Sequence, residues 1–252
     1  MITNEVFFFV PKNEYSVSQN FLTSTKTIRS LLALTDLTAG DTVLEIGAGK
    51  GHITRMLAER CSRVLTYEID PVLSARLSGT LPDNVRLFPA DFLRAPLPKG
   101  PYKVFANIPF SITTDILRKL TEGPNPPQAA WLIMEKGAAM RFCGQGREST
   151  ASLLLKPWWE VRIIHRLRRE DFHPMPRVDC VLLELRRKEM PDISLRERRQ
   201  WAMFIARCQQ LGLRRLFTPK QISQAMREAG IPLSATLRYV QWLCLFRCWK
   251  RQ

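Results

Sequence analysis

Residues 41–70, DTVLEIGAGKGHITRMLAERCSRVLTYEID, decide the fold. Within this stretch, residues 41–46 and residues 63–69 have the length and apolar content of buried strands. Between them, a turn with three glycines precedes residues 53–61, whose apolar side chains recur with helical spacing. Strand, glycine turn, helix and strand make a parallel βαβ unit, which predicts an α/β fold built on a mostly parallel sheet.

The glycine turn, GAGKGH at residues 47–52, predicts a ligand site. Glycines let the backbone approach a ligand closely. The spacing G-x-G-x-G, however, matches neither the dinucleotide fingerprint nor a phosphate-binding loop ending in G-K-[ST]. Glu45 stands shortly before the turn, and Glu68 ends the second strand, where a carboxylate can accept hydrogen bonds from both hydroxyls of a ribose. The two acids indicate a cationic nucleoside ligand.

The third predicted strand, residues 85–87, leads to another acidic residue. Asp91 stands near its carboxyl end, where ligands bind in open α/β sheets. It could accept a hydrogen bond from the amino group of an adenine, with Phe92 packed beside it. It could equally cap the N-terminus of a helix.

The fourth predicted strand, residues 102–106, runs into the turn N-I-P-F at residues 107–110. Asn107 carries a side-chain carbonyl and Pro109 lacks an N–H donor, so the turn presents acceptors beside the aromatic face of Phe110. This arrangement suits a planar group with an exocyclic amino group, such as an adenine pulled out of its strand. For this window alone, a strand-to-helix turn with a core phenylalanine is the simpler alternative.

Three more predicted strands, residues 129–135, 158–164 and 179–185, bring the sheet to seven. Phe172 lies between the last two strands, just before a loop with two prolines, and we expect it to be held rigidly. The structural alternative is that Phe172 is a hydrophobic plug under this loop.

Two polar segments have both a structural and a functional interpretation. Residues 1–18 are predicted to be irregular, and the polar pair at residues 19–20 after them could cap a helix or close over a bound ligand. Residues 144–150, GQGREST, could lie near an RNA or form a mobile surface connection.

The charge of the chain is strongly positive. Lys and Arg number 38 against 23 Asp and Glu, a formal net charge of +15. Residues 190–252 hold 12 of these basic residues and only 3 of the acidic ones, and their apolar residues have helical spacing. The sequence therefore predicts two domains, an α/β domain at residues 1–189 and a basic helical domain at residues 190–252 that binds nucleic acid.

The cysteines and the hydropathy pattern argue against other classes of protein. Six cysteines are widely spaced without a C-x-x-C pair, which predicts reduced thiols and no metal site. Cys244 and Cys248 have the spacing of a packed helix face. No apolar run approaches the length of a membrane span, and the first residues lack the pattern of a signal peptide. We expect a cytoplasmic protein without membrane attachment.

Six stretches, taken together and in order, resemble the rRNA adenine N6-methyltransferase family. They are most similar to its Erm branch, the macrolide–lincosamide–streptogramin B resistance methylases, over nearly the whole chain. The resemblance implies a Rossmann-like, S-adenosylmethionine-dependent methyltransferase sheet of seven mostly parallel strands, followed by a small all-helical C-terminal domain. The six stretches are residues 18–22 (SQNFL), 45–51 (EIGAGKG), 67–70 (YEID), 90–92 (ADF), 107–110 (NIPF) and 172–177 (FHPMPR).

The resemblance implies which residues hold the cofactor, S-adenosyl-L-methionine. Asn20 and Leu22 match a lid over the cofactor, and Gly47 matches a backbone contact with its methionine part. Glu68 matches the ribose ligand, and Asp91 the partner of the adenine amino group. The cofactor-binding set implied in full is Asn20, Leu22, Glu45, Gly47, Gly49, Glu68, Ile69, Asp91, Phe92 and Asn107.

The implied catalytic residues are Asn107, Pro109, Phe110 and Phe172. Asn107 and the Pro109 carbonyl would hold the amino group of the target adenine, and Phe110 and Phe172 would clamp its ring. Members of the family more often have tyrosine at the position of Phe110. This departure removes a phenol hydroxyl and keeps the stacking face.

The resemblance to the Erm branch implies mono- or dimethylation of one adenine of 23S rRNA at the macrolide-binding site, which confers resistance. The implied partner is large-subunit rRNA, protein-free or in an early assembly precursor, and a monomer suffices. One alternative is the small-subunit dimethyladenosine transferase, which typically reads N-L-P-Y where this chain reads N-I-P-F. The other is a non-enzymatic RNA-binding factor on the same fold, which the intact motif set disfavours.

Overall fold

The computed structural model describes residues 20–251, so the predictions for residues 1–19 lie outside the described residues. The helices and strands, in chain order, are β1 (Phe21–Leu22), α1 (Thr25–Ala33), β2 (Thr42–Ile46), α2 (His52–Arg60), β3 (Arg63–Tyr67), α3 (Pro71–Leu77), β4 (Val85–Phe88), β5 (Lys103–Asn107), α4 (Thr113–Glu122), β6 (Ala129–Glu135), α5 (Lys136–Cys143), α6 (Thr150–Leu155), β7 (Trp159–Leu167), β8 (Phe172–His173), β9 (Cys180–Arg187), α7 (Arg198–Leu211), α8 (Leu213–Leu216), α9 (Pro219–Ala229) and α10 (Tyr239–Lys250).

Seven strands form one sheet in the order β4-β3-β2-β5-β6-β9-β7. The five strands from β4 to β6 are parallel, whereas β9 runs antiparallel to both of its neighbours. The predicted α/β fold with a seven-stranded, mostly parallel sheet is therefore confirmed. A second sheet pairs β1 with β8 in antiparallel orientation, and no sequence pattern predicts it.

The direction of the chain across the sheet reverses between β2 and β5. From β2 the chain proceeds to β3 and β4, then crosses back to β5 on the other side of β2 and continues to β6. In open α/β sheets a crevice forms at such a switch point, at the carboxyl ends of the strands. The turn after β2 and the turn after β5 therefore face each other across this crevice.

The turn after β2 requires glycine for two separate reasons. Gly47, Gly49 and Gly51 have φ angles of +81°, +57° and +77°, in the region that side-chain-bearing residues rarely adopt. At Gly49 a Cβ atom would also lie 2.9 Å from the ring of Phe21, so the β1 segment packs directly on the glycine backbone. The three glycines thus allow a turn that other residues rarely adopt, and the missing side chain at Gly49 leaves room for the ring of Phe21.

A buried carboxylate ties the βαβ unit together below this turn. Glu45 lies in β2 and is 1% exposed. Its Oε2 accepts hydrogen bonds of 2.7 Å from the hydroxyls of Thr54 in α2 and Thr66 in β3, while Oε1 has no partner among the described residues. Burial raises the pKa of Glu45 from 4.5 to about 7, opposed by the two hydroxyls and reinforced by the nearby Glu68 carboxylate.

The C-terminal helices share a hydrophobic core with the sheet. Trp201 and Phe204 of α7 and Phe246 of α10 are fully buried in the same cluster as Trp159 of β7. The indole N–H of Trp201 donates a 2.8 Å hydrogen bond to the carbonyl of Leu153 in α6. Helices α7–α10 are therefore packed on the α/β part, and the domain boundary at residue 190 stays a prediction.

Helix α9 is bounded by a cap at each end. Thr218 caps α9 and accepts a hydrogen bond from the N–H of Gln221, with Pro219 at the first helical position, and Gly230 ends the helix with φ +65°. Within residues 20–251, none of the helices is both long and apolar enough to span a membrane.

We expect Glu45 to make stability fall as pH rises. Its pKa is higher in the folded protein than in the unfolded chain, so its favourable contribution is complete below about pH 4.5 and is lost as the pH passes through about 7. The neutral variant Glu45→Gln lacks this dependence. In urea unfolding at pH 5 and pH 8, the wild type should lose on the order of 2 kcal/mol more than Glu45→Gln.

The matched control is Glu59→Gln, because Glu59 lies in α2 with an exposed side chain. This variant should keep the pH dependence of the wild type. If Glu45→Gln also keeps it, the carboxyl of Glu45 is ionised in the folded protein at neutral pH.

Candidate active site

A cavity of about 300 Å³ lies at the carboxyl edge of the sheet, between the turn after β2 and the turn after β5. This volume is at the lower end of the range for small-molecule sites. Most of the residues that the sequence predicts for the site line it, namely Asn20, Leu22, Gly47, Gly49, Glu68, Ile69, Asp91, Phe92, Asn107, Pro109 and Phe110. The structure thus brings together in one cavity residues from five separate segments of the chain.

Two predicted residues, Glu45 and Phe172, do not line the cavity. Glu45 lies beneath the glycine turn, bonded to two threonines, and its carboxylate supports the turn from below. Phe172 is 4% exposed and packs in an apolar cluster with Leu22, with Phe110 against its margin. Direct contacts of these two residues with a ligand therefore stay predictions.

Glu68 has the geometry of a ligand acceptor. Its side chain is buried but borders the cavity. One carboxylate oxygen accepts a 2.7 Å hydrogen bond from the N–H of Gly49, and the other accepts a 2.9 Å bond from the N–H of Asp70. Each oxygen has a second lone pair, so the carboxylate holds the glycine turn and can still accept hydrogen bonds from a ligand.

Asp91 begins a turn and not a helix, so the prediction that it caps a helix is wrong, while its role as a ligand acceptor stays a prediction. Its Oδ1 accepts a 2.8 Å hydrogen bond from the N–H of Leu93, which closes a local turn. The residue also lines the cavity, and its Oδ2 lies 3.7 Å from Nε of the exposed Arg94. Phe92 beside it is buried against the edge of the Tyr67 ring, so the turn is anchored to the core.

The turn at residues 91–95 has a further anchor that the sequence analysis missed. Lys119 of α4 donates hydrogen bonds to the carbonyls of Phe92 (2.5 Å), Leu93 (3.0 Å) and Ala95. Its Nζ also lies 4.7 Å from the centroid of the Phe92 ring. Burial lowers the pKa of Lys119, and Asp91 opposes this shift. In the sequence, Lys119 stands next to the apolar positions of α4. A lysine at such a position indicates that its charged group has hydrogen-bond partners inside the protein.

Asn107 lies at the end of β5, on the opposite side of the cavity from Glu68. Its Nδ2 donates a 2.7 Å hydrogen bond to the backbone carbonyl of Asn20. Because a carbonyl can only accept, this bond fixes the orientation of the amide. Oδ1 of Asn107 is thereby presented as an acceptor, and the segment before β1 is drawn over the cavity.

The turn after Asn107 is shaped by its own hydrogen bonds. The Pro109 carbonyl accepts long bonds from the N–H of Ile112 (3.3 Å) and the hydroxyl of Thr113 (3.4 Å), so its role as an acceptor for a ligand stays a prediction. Phe110 is half-buried on the cavity wall. The turn therefore offers one amide oxygen and one aromatic face.

The β1 segment borders the cavity, where the ligand interpretation of Asn20 and the family resemblance both placed it. Asn20 does not cap α1, because Ser24 does so and accepts a hydrogen bond from the N–H of Thr27. Asn20, Phe21 and Leu22 line the cavity, and Nζ of Lys50 lies 5.1 Å from the centroid of the Phe21 ring. Pairing of Phe21 with His173 and of Leu22 with Phe172 attaches this segment to β8. We call residues 20–22 the lid.

Comparison with known proteins agrees with this geometry. A family profile described as ribosomal RNA adenine dimethylase matches residues 10–250. A protein of Limosilactobacillus reuteri named rRNA adenine N-6-methyltransferase is 35% identical over 242 residues, covering 95% of this chain and 98% of that protein. A protein of Escherichia coli with the same name is 35% identical over 232 residues, covering 91% of this chain and 93% of that protein.

Two solved structures are similar over most of the chain. The 23S rRNA methyltransferase ErmE has a TM-score of 0.79 and 30% identity, covering 92% of this chain and all of that one. A dimethyladenosine transferase from Plasmodium falciparum has a TM-score of 0.64 at 20% identity, covering 88% of this chain and 86% of that one, and shows the shared fold. With a family match over residues 10–250 and relatives at 35% identity over nearly their full length, the chain belongs to the ribosomal RNA adenine dimethylase family.

Proposed function

We propose that this protein transfers a methyl group from S-adenosylmethionine to N6 of one adenine of 23S rRNA, at the site where macrolide antibiotics bind. The observation that carries the proposal is the single cavity that places acceptors for a nucleoside, Glu68 and Asp91, opposite Asn107 and Phe110. The names of the curated relatives and of ErmE support the reaction and the large-subunit target.

The residues present fit S-adenosylmethionine as the cofactor. The turn after β2 has no side chain at Gly47 or Gly49, so its backbone can lie against the methionine part. The lone pairs left on Glu68 suit the ribose hydroxyls, and Asp91 suits the adenine amino group. When bound, this cofactor supplies a methyl group on a positively charged sulfur.

Asn107 would act on the target adenine by positioning. Its Oδ1 can accept a hydrogen bond from the N6 amino group, whose lone pair is otherwise delocalised into the ring. Holding the N–H bonds favours a pyramidal nitrogen and directs the lone pair towards the methyl group. The bond from Nδ2 to Asn20 fixes which end of the amide is the acceptor, so in our proposal Oδ1 is in place before the substrate arrives.

Phe110 would provide the surface on which the target base stacks. An adenine in a duplex must leave its helix at a cost of a few kcal/mol, and stacking on an aromatic side chain returns about 1–3 kcal/mol per base. In our proposal Phe172, which packs beneath the lid, completes the clamp. No general base is required before transfer, since the proton leaves a product that is already cationic.

The charge distribution supports RNA as the partner. Nearly all the basic residues of the C-terminal helices are exposed, and one of them, Arg198, instead lies over the ring of Trp158. A surplus of exposed cations favours a polyanion through counterion release. We infer that large-subunit rRNA, protein-free or in an early assembly precursor, is the substrate. One chain supplies all the residues that we assign to the site, which supports a monomer. We infer that it acts in the cytoplasm, where its rRNA substrate is found.

The large-subunit target is favoured over the small-subunit one by similarity in both sequence and structure. ErmE, at 30% identity, superposes with the higher TM-score, 0.79 against 0.64 for the dimethyladenosine transferase. Methylation at the macrolide site removes a hydrogen-bond donor and adds bulk, so resistance to macrolides, lincosamides and streptogramin B would follow.

The proposal is tested by offering the protein labelled S-adenosylmethionine with two substrates, protein-free 23S rRNA and assembled small ribosomal subunits. We expect label in the 23S rRNA and none when the target adenine at the macrolide site is replaced by guanine. Label confined to the small subunit would instead assign the housekeeping reaction. Label in neither would assign a non-enzymatic RNA-binding factor.

Replacing Asn107 by alanine should lower kcat by about 100-fold or more, the loss seen when one preorganised polar group is removed from an active site. The Kd for S-adenosylhomocysteine should rise less than tenfold, because only the bond to the lid is lost. Calorimetry and single-turnover methylation measure the two effects. Gln128→Ala removes an exposed side-chain amide outside the cavity, so it is the matched control and should change neither. Loss of cofactor binding with normal turnover would contradict the role of Asn107.

Replacing Lys119 by methionine should weaken cofactor binding by roughly 10- to 100-fold, since hydrogen bonds from a charged group contribute about 1.5–3 kcal/mol. The cause is release of the turn at residues 91–95, so KM for S-adenosylmethionine should rise while kcat at saturation stays within a few-fold. Arg118→Met removes the neighbouring exposed cation and should leave KM unchanged. An equal KM in Lys119→Met and the wild type would show that the turn holds its shape without the lysine.

A further inference from the structure

Asp171 is a buried carboxylate outside the cavity. It ends the 3-10 turn Arg169–Asp171 and is 7% exposed. Its Oδ1 accepts a 2.8 Å hydrogen bond from the hydroxyl of Thr27, which lies 144 residues earlier, in α1. Its Oδ2 accepts a 3.3 Å bond from the N–H of Arg168, whose exposed guanidinium lies 3.4 Å from Oδ1. A carboxylate is buried only where such partners hold it, so this contact fixes the 3-10 turn on α1.

Phe172 follows Asp171 directly, and backbone hydrogen bonds also join this part of the chain to the lid. The N–H of Thr23 donates a 3.3 Å hydrogen bond to the carbonyl of Asp171. Beyond it, Leu22 pairs with Phe172 and Phe21 with His173 in the β1–β8 sheet. The lid and Phe172 therefore form one two-stranded ribbon, and Asp171 attaches the Phe172 strand of that ribbon to α1.

The lid, on the β1 side of the ribbon, lies at the cavity and contacts Asn107. Asn20 and Leu22 line the cavity, and the carbonyl of Asn20 accepts the hydrogen bond from Asn107. The ring of Phe21 packs on Gly49 in the glycine turn. A ligand in the cavity would thus touch the same ribbon that holds Phe172.

A ribbon of two residues per strand is marginal by itself, because isolated two-stranded sheets have little stability in water. The order of the ribbon therefore depends on the contacts at its ends. One of these is the bond between Asp171 and Thr27, which attaches the strand of Phe172 to α1. Whichever ligand binds first must order the ribbon, and the second then binds a ribbon already in place.

We propose that Asp171, through Thr27, is a positioning residue that holds on α1 the ribbon shared by the cofactor lid and the aromatic clamp, and that this contact sets how strongly the cofactor and the target adenine bind cooperatively. This inference rests on the proposed function of the cavity. Linkage requires that the cofactor raise RNA affinity by the same factor by which RNA raises cofactor affinity. Removing the bond between α1 and the 3-10 turn loosens this ribbon without touching either ligand, so the ligand that binds first must order more of it.

The test measures the Kd of a fluorescein-labelled hairpin of 23S rRNA containing the target adenine, with and without saturating S-adenosylhomocysteine. The wild type should bind the hairpin about tenfold more tightly with the cofactor product, within the usual range of coupling. Thr27→Val removes the hydroxyl with little change of shape. It should weaken hairpin binding in the absence of the cofactor product, so the ratio should rise by about fivefold or more above that of the wild type. Thr27→Ser restores the hydroxyl and should restore the ratio.

The matched control is Ser30→Ala, because the hydroxyl of Ser30 in the same helix bonds only to its own helix, at the carbonyl of Thr27. Ser30→Ala should keep the wild-type ratio. A general effect of substitutions in α1 would change the ratio in this variant as well. A ratio in Thr27→Val that equals or falls below the wild-type ratio, with a wild-type protein that methylates RNA normally, would overturn this inference alone. A wild type that binds neither probe would overturn the proposed function with it.

Discussion

The parallel pairing of β2 with β5 is the constraint on which the rest of the structure depends. Val43 pairs with Lys103 and Leu44 with Val104, and the chain leaves the two strands in opposite directions. Among residues 20–251, the connections from the two strands lead away from each other, so a crevice remains between the glycine turn and Asn107. Glu68, Asp91, Asn107 and Phe110 all line this crevice, whereas Phe172 is buried beside it.

Three buried carboxylates give that edge its rigidity, each with a different set of donors. Glu45 is held by two hydroxyls, Glu68 by two backbone N–H groups, and Asp171 by a hydroxyl and a backbone N–H. Burial raises the pKa of Glu45 to about 7. Glu68 borders the cavity and retains lone pairs for a ligand. The neighbours of each buried acid thus determine its role. Glu45 stabilises the βαβ unit, Glu68 can bind a ligand, and Asp171 holds the ribbon on α1.

The sequence predicts those parts of the site that are encoded locally. A glycine turn after an apolar strand, Glu68 at the end of the next strand and Asn107 in N-I-P-F are each visible within a few residues, and the sheet brings them together. Lys119 and Asp171 escape detection because their partners lie far along the chain, at residues 92–95 and at Thr27. Likewise, only the folded chain shows that Pro109 directs its carbonyl into a turn and that Phe172 lies beneath the lid.

A crystal structure with S-adenosylhomocysteine tests the central claim most directly, because it reports the orientation of the cofactor against every named residue. Our interpretation predicts both ribose hydroxyls within about 3 Å of the Glu68 carboxylate. The adenine amino group should lie at Asp91, and the sulfur should face the open space beside Oδ1 of Asn107. A ribose bound away from Glu68, or a sulfur screened from Asn107 by protein, would contradict the claim that this cavity aligns a methyl donor with a target amine.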